Sequence, residues 1–122
     1  VIDIVTLDLS FISVLKVLPA ICTVLKPGGT LLVLIKPQFE AKRSQIGAKG
    51  VVRDTNVHKE VIENVIEGAK VFGFQYLDHT VSPIKGAKEG NTEFLAHFKL
   101  SDDGPPPDAL TNIGDDDDST ES

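Results

Sequence analysis

Thr30-Leu31-Leu32-Val33-Leu34-Ile35 is an apolar run that ends in one ammonium group, Lys36, and leads into Pro37-Gln38-Phe39-Glu40. Six uncharged residues in a row, rich in Leu, Val and Ile, predict a strand buried on both faces, the kind found in parallel sheets. Open α/β sheets bind their ligands beyond the carboxyl ends of such strands, so Lys36 stands where chemistry is expected. A second run, Val1-Ile2-Asp3-Ile4-Val5-Thr6-Leu7, ends in Asp8, followed by Leu9-Ser10-Phe11. If these two strands are neighbours, an acid and a base emerge side by side.

The 122 residues are 41% hydrophobic and 25% charged, a composition that suits one small domain with an ordinary core. Methionine is absent and residue 1 already lies inside a strand-like run, so the chain is expected to be a fragment from the C-terminal half of a larger domain. A processed mature chain is the alternative, although cleavage favours exposed, flexible sequence over a buried strand. The net charge of −6 is misleading as an average, because eight of the 18 acids (Asp102, Asp103, Asp108, Asp115 to Asp118 and Glu121) fall in residues 101–122. Residues 1–100 therefore carry 12 basic against 10 acidic side chains, which neither demands nor excludes a nucleic-acid partner. The acidic stretch 101–122, with Gly104-Pro105-Pro106-Pro107, is too poor in apolar groups to offset its ordering entropy and is expected to be a disordered tail. Cys22 is the only cysteine, which excludes an internal disulfide or a zinc cluster of cysteines. A reducing compartment, cytoplasmic or an organellar matrix, is expected, with no membrane span and no metal.

Periodicity places the remaining elements. Leu15, Leu18, Cys22 and Leu25 predict a helix over about residues 13–25, with Ser13 as a cap and with Pro19 either opening a first turn or kinking the helix. Lys26-Pro27-Gly28-Gly29 then stops it. Asp54-Thr55 is an N-cap signal, after which Val57, Val61, Val65 and Ala69, flanked by Ile62 and Ile66, form an amphipathic stripe ending near Gly73. Residues 74–81 predict a strand, and Phe94, Ala96, Phe98 and Leu100 alternate as the buried side of another. The connection between them, around residues 85–91, is too short for a crossover helix and predicts an antiparallel hairpin. The expected architecture is α/β: a mostly parallel sheet with an antiparallel edge hairpin.

Four blocks, Asp8-Leu9-Ser10-Phe11-Ile12-Ser13, Lys36-Pro37-Gln38-Phe39-Glu40, Gly50-Val51-Val52-Arg53-Asp54 and Gly90-Asn91-Thr92-Glu93-Phe94, occur in this order. Together they resemble the TlyA (hemolysin A) family of ribosomal RNA methyltransferases within the FtsJ-like superfamily, over about residues 1–100. The resemblance implies the C-terminal half of a Rossmann-like class I methyltransferase domain that uses S-adenosylmethionine to methylate a ribose 2′-hydroxyl of ribosomal RNA. It also implies a Lys-Asp-Lys-Glu catalytic set, in which Asp8, Lys36 and Glu93 match three members. The first Lys, the glycine-rich cofactor turn and an S4-like RNA-binding domain have no counterpart here. The fragment alone is therefore expected to be inactive and to hold the cofactor poorly.

A ribose hydroxyl is a weak nucleophile that must be held in line and relieved of its proton as the new bond forms. A neutral Lys36 amine could take that proton, or a charged Lys36 could steer the hydroxyl while water takes it. Asp8 and Glu93 would orient the amine by charge-assisted hydrogen bonds. Each residue also has a plainer reading: Lys36 as a solvated loop charge, Asp8 as a capping residue, Glu93 as an edge-strand gatekeeper. Lys42, Arg43, Lys49 and Arg53 follow Lys36 and are candidate contacts to RNA phosphates. His58, His79 and His97 have no metal-ligand companions and are read as structural or surface residues. Phe39 could stack on a base, though packing is its more ordinary role. The rival reading is a noncatalytic RNA-binding protein or a hemolysin-like membrane-active one, although no basic amphipathic helix is evident in residues 1–100.

Overall fold

The computed structural model describes residues 2–9, 12–47, 50–82 and 91–111. Four strands, β1 (Ile2–Leu7), β2 (Leu25–Ile35), β3 (Phe74–Val81) and β4 (Phe94–Leu100), form one sheet in the order β1-β2-β4-β3. The helices are α1 (Leu18–Val24), the single turn α2 (Pro37–Glu40), α3 (Thr55–Val71) and α4 (Pro107–Thr111), with 3-10 turns at Val14–Lys16 and Arg43–Gln45.

β1 pairs with β2 in parallel, whereas β4 lies antiparallel to both β2 and β3. β1, β2 and β3 thus point one way, and β4 runs back between the last two. Only one of the three pairings is parallel, so the described sheet is mixed rather than mostly parallel. The short β3-to-β4 connection accounts for this, because a hairpin can only return antiparallel. Residues 83–90 of that connection lie outside the described residues.

Leu31, Val33 and Ile35 of β2 stand opposite Phe98, Ala96 and Phe94 of β4, and all six are buried on the face that the helices cover. Val14, Leu18 and Cys22 join them from one side, and Val61, Ile62, Val65 and Ala69 of α3 from the other. Asp54 caps α3 by accepting from the Asn56 amide at 2.8 Å. The other face of the sheet carries Ile4, Leu32, Leu34 and Leu95 with only partial cover or none among the described residues.

Three expectations need correction. The helix predicted over 13–25 is split: Ser13 caps a 3-10 turn, and Pro19 sits in the first turn of a separate α1. A proline lacks the N–H that a continuous helix needs, so the break falls where that N–H would be unused anyway. Next, β2 begins at Leu25 rather than near residue 30, because Lys26-Pro27-Gly28-Gly29 is looped out as a bulge between the pairs Ile2–Leu25 and Ile4–Thr30. Gly28 takes φ +80°, and Lys26 spans the bulge to Asp3 at 2.9 Å. Finally, residues 101–111, expected to be disordered, are placed by the backbone. The Ser101 amide donates to the Gly73 carbonyl at 2.8 Å, and Gly104 is buried beside Gly73. These contacts use main-chain groups, which composition does not reveal. Residues 112–122 lie outside the described residues.

Two predictions follow from the packing. A Cβ added at Gly29 would lie 2.6 Å from Leu25 Cδ1, 2.8 Å from the Lys26 carbonyl oxygen and 3.0 Å from that of Asp3. Two of these neighbours are backbone, so Gly29→Ala should lower stability by about 1–3 kcal/mol in urea unfolding. Burial pushes the Cys22 thiol from 9.0 up to about 11. The unfolded thiol therefore ionises first as pH rises, and this site's contribution to stability should fall between pH 9 and 11. At pH 8 iodoacetamide should alkylate Cys22 much more slowly in the folded chain than in urea, read by mass spectrometry.

Candidate active site

Three neighbouring strands deliver the candidate residues to one rim. Asp8 follows the carboxyl end of β1, Lys36 follows that of β2, and Glu93 immediately precedes β4, which runs the opposite way. A residue before a reversed strand lies at the same edge as residues after its neighbours. Lys36 Nζ meets Asp8 Oδ1 at 2.5 Å, with the lysine side chain 12% exposed and the aspartate 65%. Apolar strands bury the stem of the lysine while its head reaches the rim.

Glu93 is 6% exposed. From its motif Glu93 is expected to hold the amine together with Asp8. Instead its carboxylate accepts a hydrogen bond from Gln38 Nε2 at 3.1 Å, and Lys36 pairs with Asp8. Gln38 Oε1 is buried without a hydrogen-bond partner among the described residues.

Two further side chains lock the rim. Glu40 accepts from Ser13 Oγ at 2.6 Å and from the Val14 amide at 2.8 Å, joining the segment after Lys36 to the segment after Asp8. Asn91, 2% exposed, accepts from the Val52 amide at 3.0 Å and donates to the Gly50 carbonyl at 3.2 Å. His58 Nε2 lies 2.8 Å from the Val52 carbonyl, and its ring meets Phe94 edge-on at 5.5 Å. The four sequence blocks are thus hydrogen-bonded into one assembly. Gln38, Glu40 and Asn91 lie within the motif blocks, and their roles as fasteners become visible only in the fold.

Of the proposed RNA-contacting residues, Lys42, Arg43 and Arg53 are exposed, and Lys49 lies outside the described residues. A cavity of about 780 Å³ lies between α3 and β3, with Arg53, His58, Ile62, His79 and Phe94 among its lining; Asp8, Lys36 and Glu93 do not line it. For a methyl-donating sulfonium cofactor the rim offers the exposed Asp8 carboxylate, a group that balances positive charge. That is one wall of a site. The described residues contain no cluster of His, Cys, Asp or Glu able to hold a metal ion, and no helix long and apolar enough to cross a membrane.

The FtsJ-like methyltransferase family model matches residues 1–100, which include the mixed sheet and its rim, and the chain belongs to that family. It is 42% identical to the "Putative rRNA methyltransferase YqxC" of Bacillus subtilis over 99 residues, 81% of this chain and 35% of that protein. It is 33% identical to the 16S/23S rRNA (cytidine-2′-O)-methyltransferase TlyA of Mycobacterium tuberculosis over 102 residues, 84% of this chain and 38% of that one. A solved structure, "Putative hemolysin from Streptococcus thermophilus", superposes with a TM-score of 0.79 at 43% identity, covering 91% of this chain and 39% of the other. The chain therefore spans little more than a third of the curated relatives it matches.

The rim's fasteners can be tested by stability. Glu40→Gln turns an amide NH2 toward one of two donors, and Asn91→Ala strips partners from Val52 and Gly50. Each should cost about 1–3 kcal/mol in chemical denaturation.

Proposed function

We propose that this chain supplies the acid–amine rim of an S-adenosylmethionine-dependent 2′-O-ribose methyltransferase acting on ribosomal RNA. In this reading it is the C-terminal part of the domain, about residues 1–100, and the glycine-rich cofactor turn and a further lysine belong to sequence outside these 122 residues. The observation that carries the reading is the Lys36–Asp8 pair at 2.5 Å, on an edge shared with Glu93 one strand away. The named activity of the TlyA relative supports the choice of a ribose oxygen and of ribosomal RNA.

The cofactor supplies the methyl group from its sulfonium. The work of this chain's residues is to place the nucleophile. An ammonium held by Asp8 donates a hydrogen bond to the ribose 2′-oxygen and fixes its direction, while the hydroxyl proton passes to water as the carbon–oxygen bond forms. The ion pair favours this positioning role for Lys36 over that of general base. Asp8 has the second task of facing the cofactor's positive charge. Exposed Lys42, Arg43 and Arg53 hold phosphates of the substrate strand near the rim, and Lys49 is assigned the same role.

Tritium transfer from labelled S-adenosylmethionine to ribosomal RNA tests the reading in the full-length protein. The wild type should label RNA at ribose 2′-oxygens, and the 122-residue chain alone should not. Lys36→Ala should lower kcat by at least about 100-fold. Lys36→Arg keeps the charge and cannot act as a base. It should keep a measurable part of the rate with an unchanged pH profile, whereas complete loss with Arg would return Lys36 to the role of base. Leakage of liposomes by the full-length protein, without RNA labelling, would overturn the enzyme reading altogether.

A further inference from the structure

Gln38 is spent in an unusual way. Its Nε2 donates to a carboxylate that is 6% exposed, while its Oε1 is enclosed and has no hydrogen-bond partner among the described residues. An enclosed carbonyl without a partner is costly, and an amide free to turn would exchange that state for solvent. The compensating contact is the charge-assisted bond to Glu93. Nor can the amide be reversed, because its oxygen would then face the carboxylate oxygen of Glu93.

Gln38 stands two residues after Lys36, in the turn α2 that Pro37 opens and Glu40 anchors to Ser13 and Val14. Glu93 comes from the other end of the chain, ahead of β4. The bond between them spans 55 residues and is a side-chain link between the turn after Lys36 and the segment ahead of β4. Because Glu93 pairs with Gln38 and not with Lys36, its direction relative to the amine is set by where α2 holds that amide.

We propose that Gln38 is a positioning residue that aims the Glu93 carboxylate at the reactive rim. Glu93 does its part in methyl transfer only from the orientation that this amide imposes. The inference rests on the methyltransferase reading above, and its test separates the two.

Gln38→Leu keeps the bulk, deletes the donor and removes the orphaned carbonyl. In the full-length protein, with S-adenosylmethionine and ribosomal RNA, kcat should fall about 10- to 100-fold, as expected for losing a hydrogen bond to a charged group. KM for RNA should hold at its wild-type value, while the melting temperature falls, because Glu93 is left buried without its donor; the activity is therefore read below the variant's own melting temperature. The deciding measurement is a double-mutant cycle with Glu93→Gln. Acting through Glu93, Gln38→Leu adds no further loss in the Glu93→Gln background. A wild-type kcat for Gln38→Leu, or the same fold-loss with and without Glu93, overturns the positioning role while leaving the enzyme reading intact. A wild-type protein that labels no ribosomal RNA overturns both.

Discussion

Strand β4 threads backward between β2 and β3, and the rest of the structure depends on that insertion. Its inward residues Phe94, Ala96, Phe98 and Leu100 fill the space under α3 and opposite β2. Burying four apolar side chains of this size is worth several kcal/mol in area removed from water, far more than any single polar contact at the rim. The reversal also brings the start of β4 to the edge where β1 and β2 end. Glu93 therefore reaches the turn that follows Lys36, and Asn91 the segment 50–52, without any long connection to position them. A core requirement and a site requirement are met by one strand direction.

Around that insertion the polar groups form a chain of local bargains. Lys36 pairs with Asp8, Gln38 with Glu93, Glu40 with Ser13 and Val14, Asn91 with Gly50 and Val52. Each joins two sequence blocks, and the side chains involved are mostly half-buried or buried. Such bonds add little net stability when made but cost about 1–3 kcal/mol when one partner is removed. They specify one arrangement of the rim more than they hold the domain together.

Much of this was legible in the order of the residues. The apolar stripe of α3 and its Asp54 cap, the alternation along β4 and the four motif blocks all follow from periodicity or local chemistry. What stayed hidden has a common physical origin. The bulge at 26–29 depends on β1 being beside it, and the placing of 101–111 depends on a main-chain bond to Gly73. Glu93 takes Gln38 rather than Lys36 as its partner because of how α2 is pinned, a fact set by contacts 26 to 55 residues apart. Periodicity reports on neighbours three or four positions away and is blind to such distances. Asp8, Lys36 and Glu93 are legible as parts of motif blocks, and which of them pair with each other is not.

The span of those pairings bears on how the molecule comes into being. Non-local contacts delay folding, because loop-closure entropy must be overcome before they form. On a ribosome, β1, β2 and α3 emerge well before β4, and during that interval Lys36 and Asp8 face a sheet whose central strand is still missing. Of the four described strands β4 is the last to leave the exit tunnel, so the contact between Gln38 and Glu93 cannot be held in place until synthesis has passed Leu100.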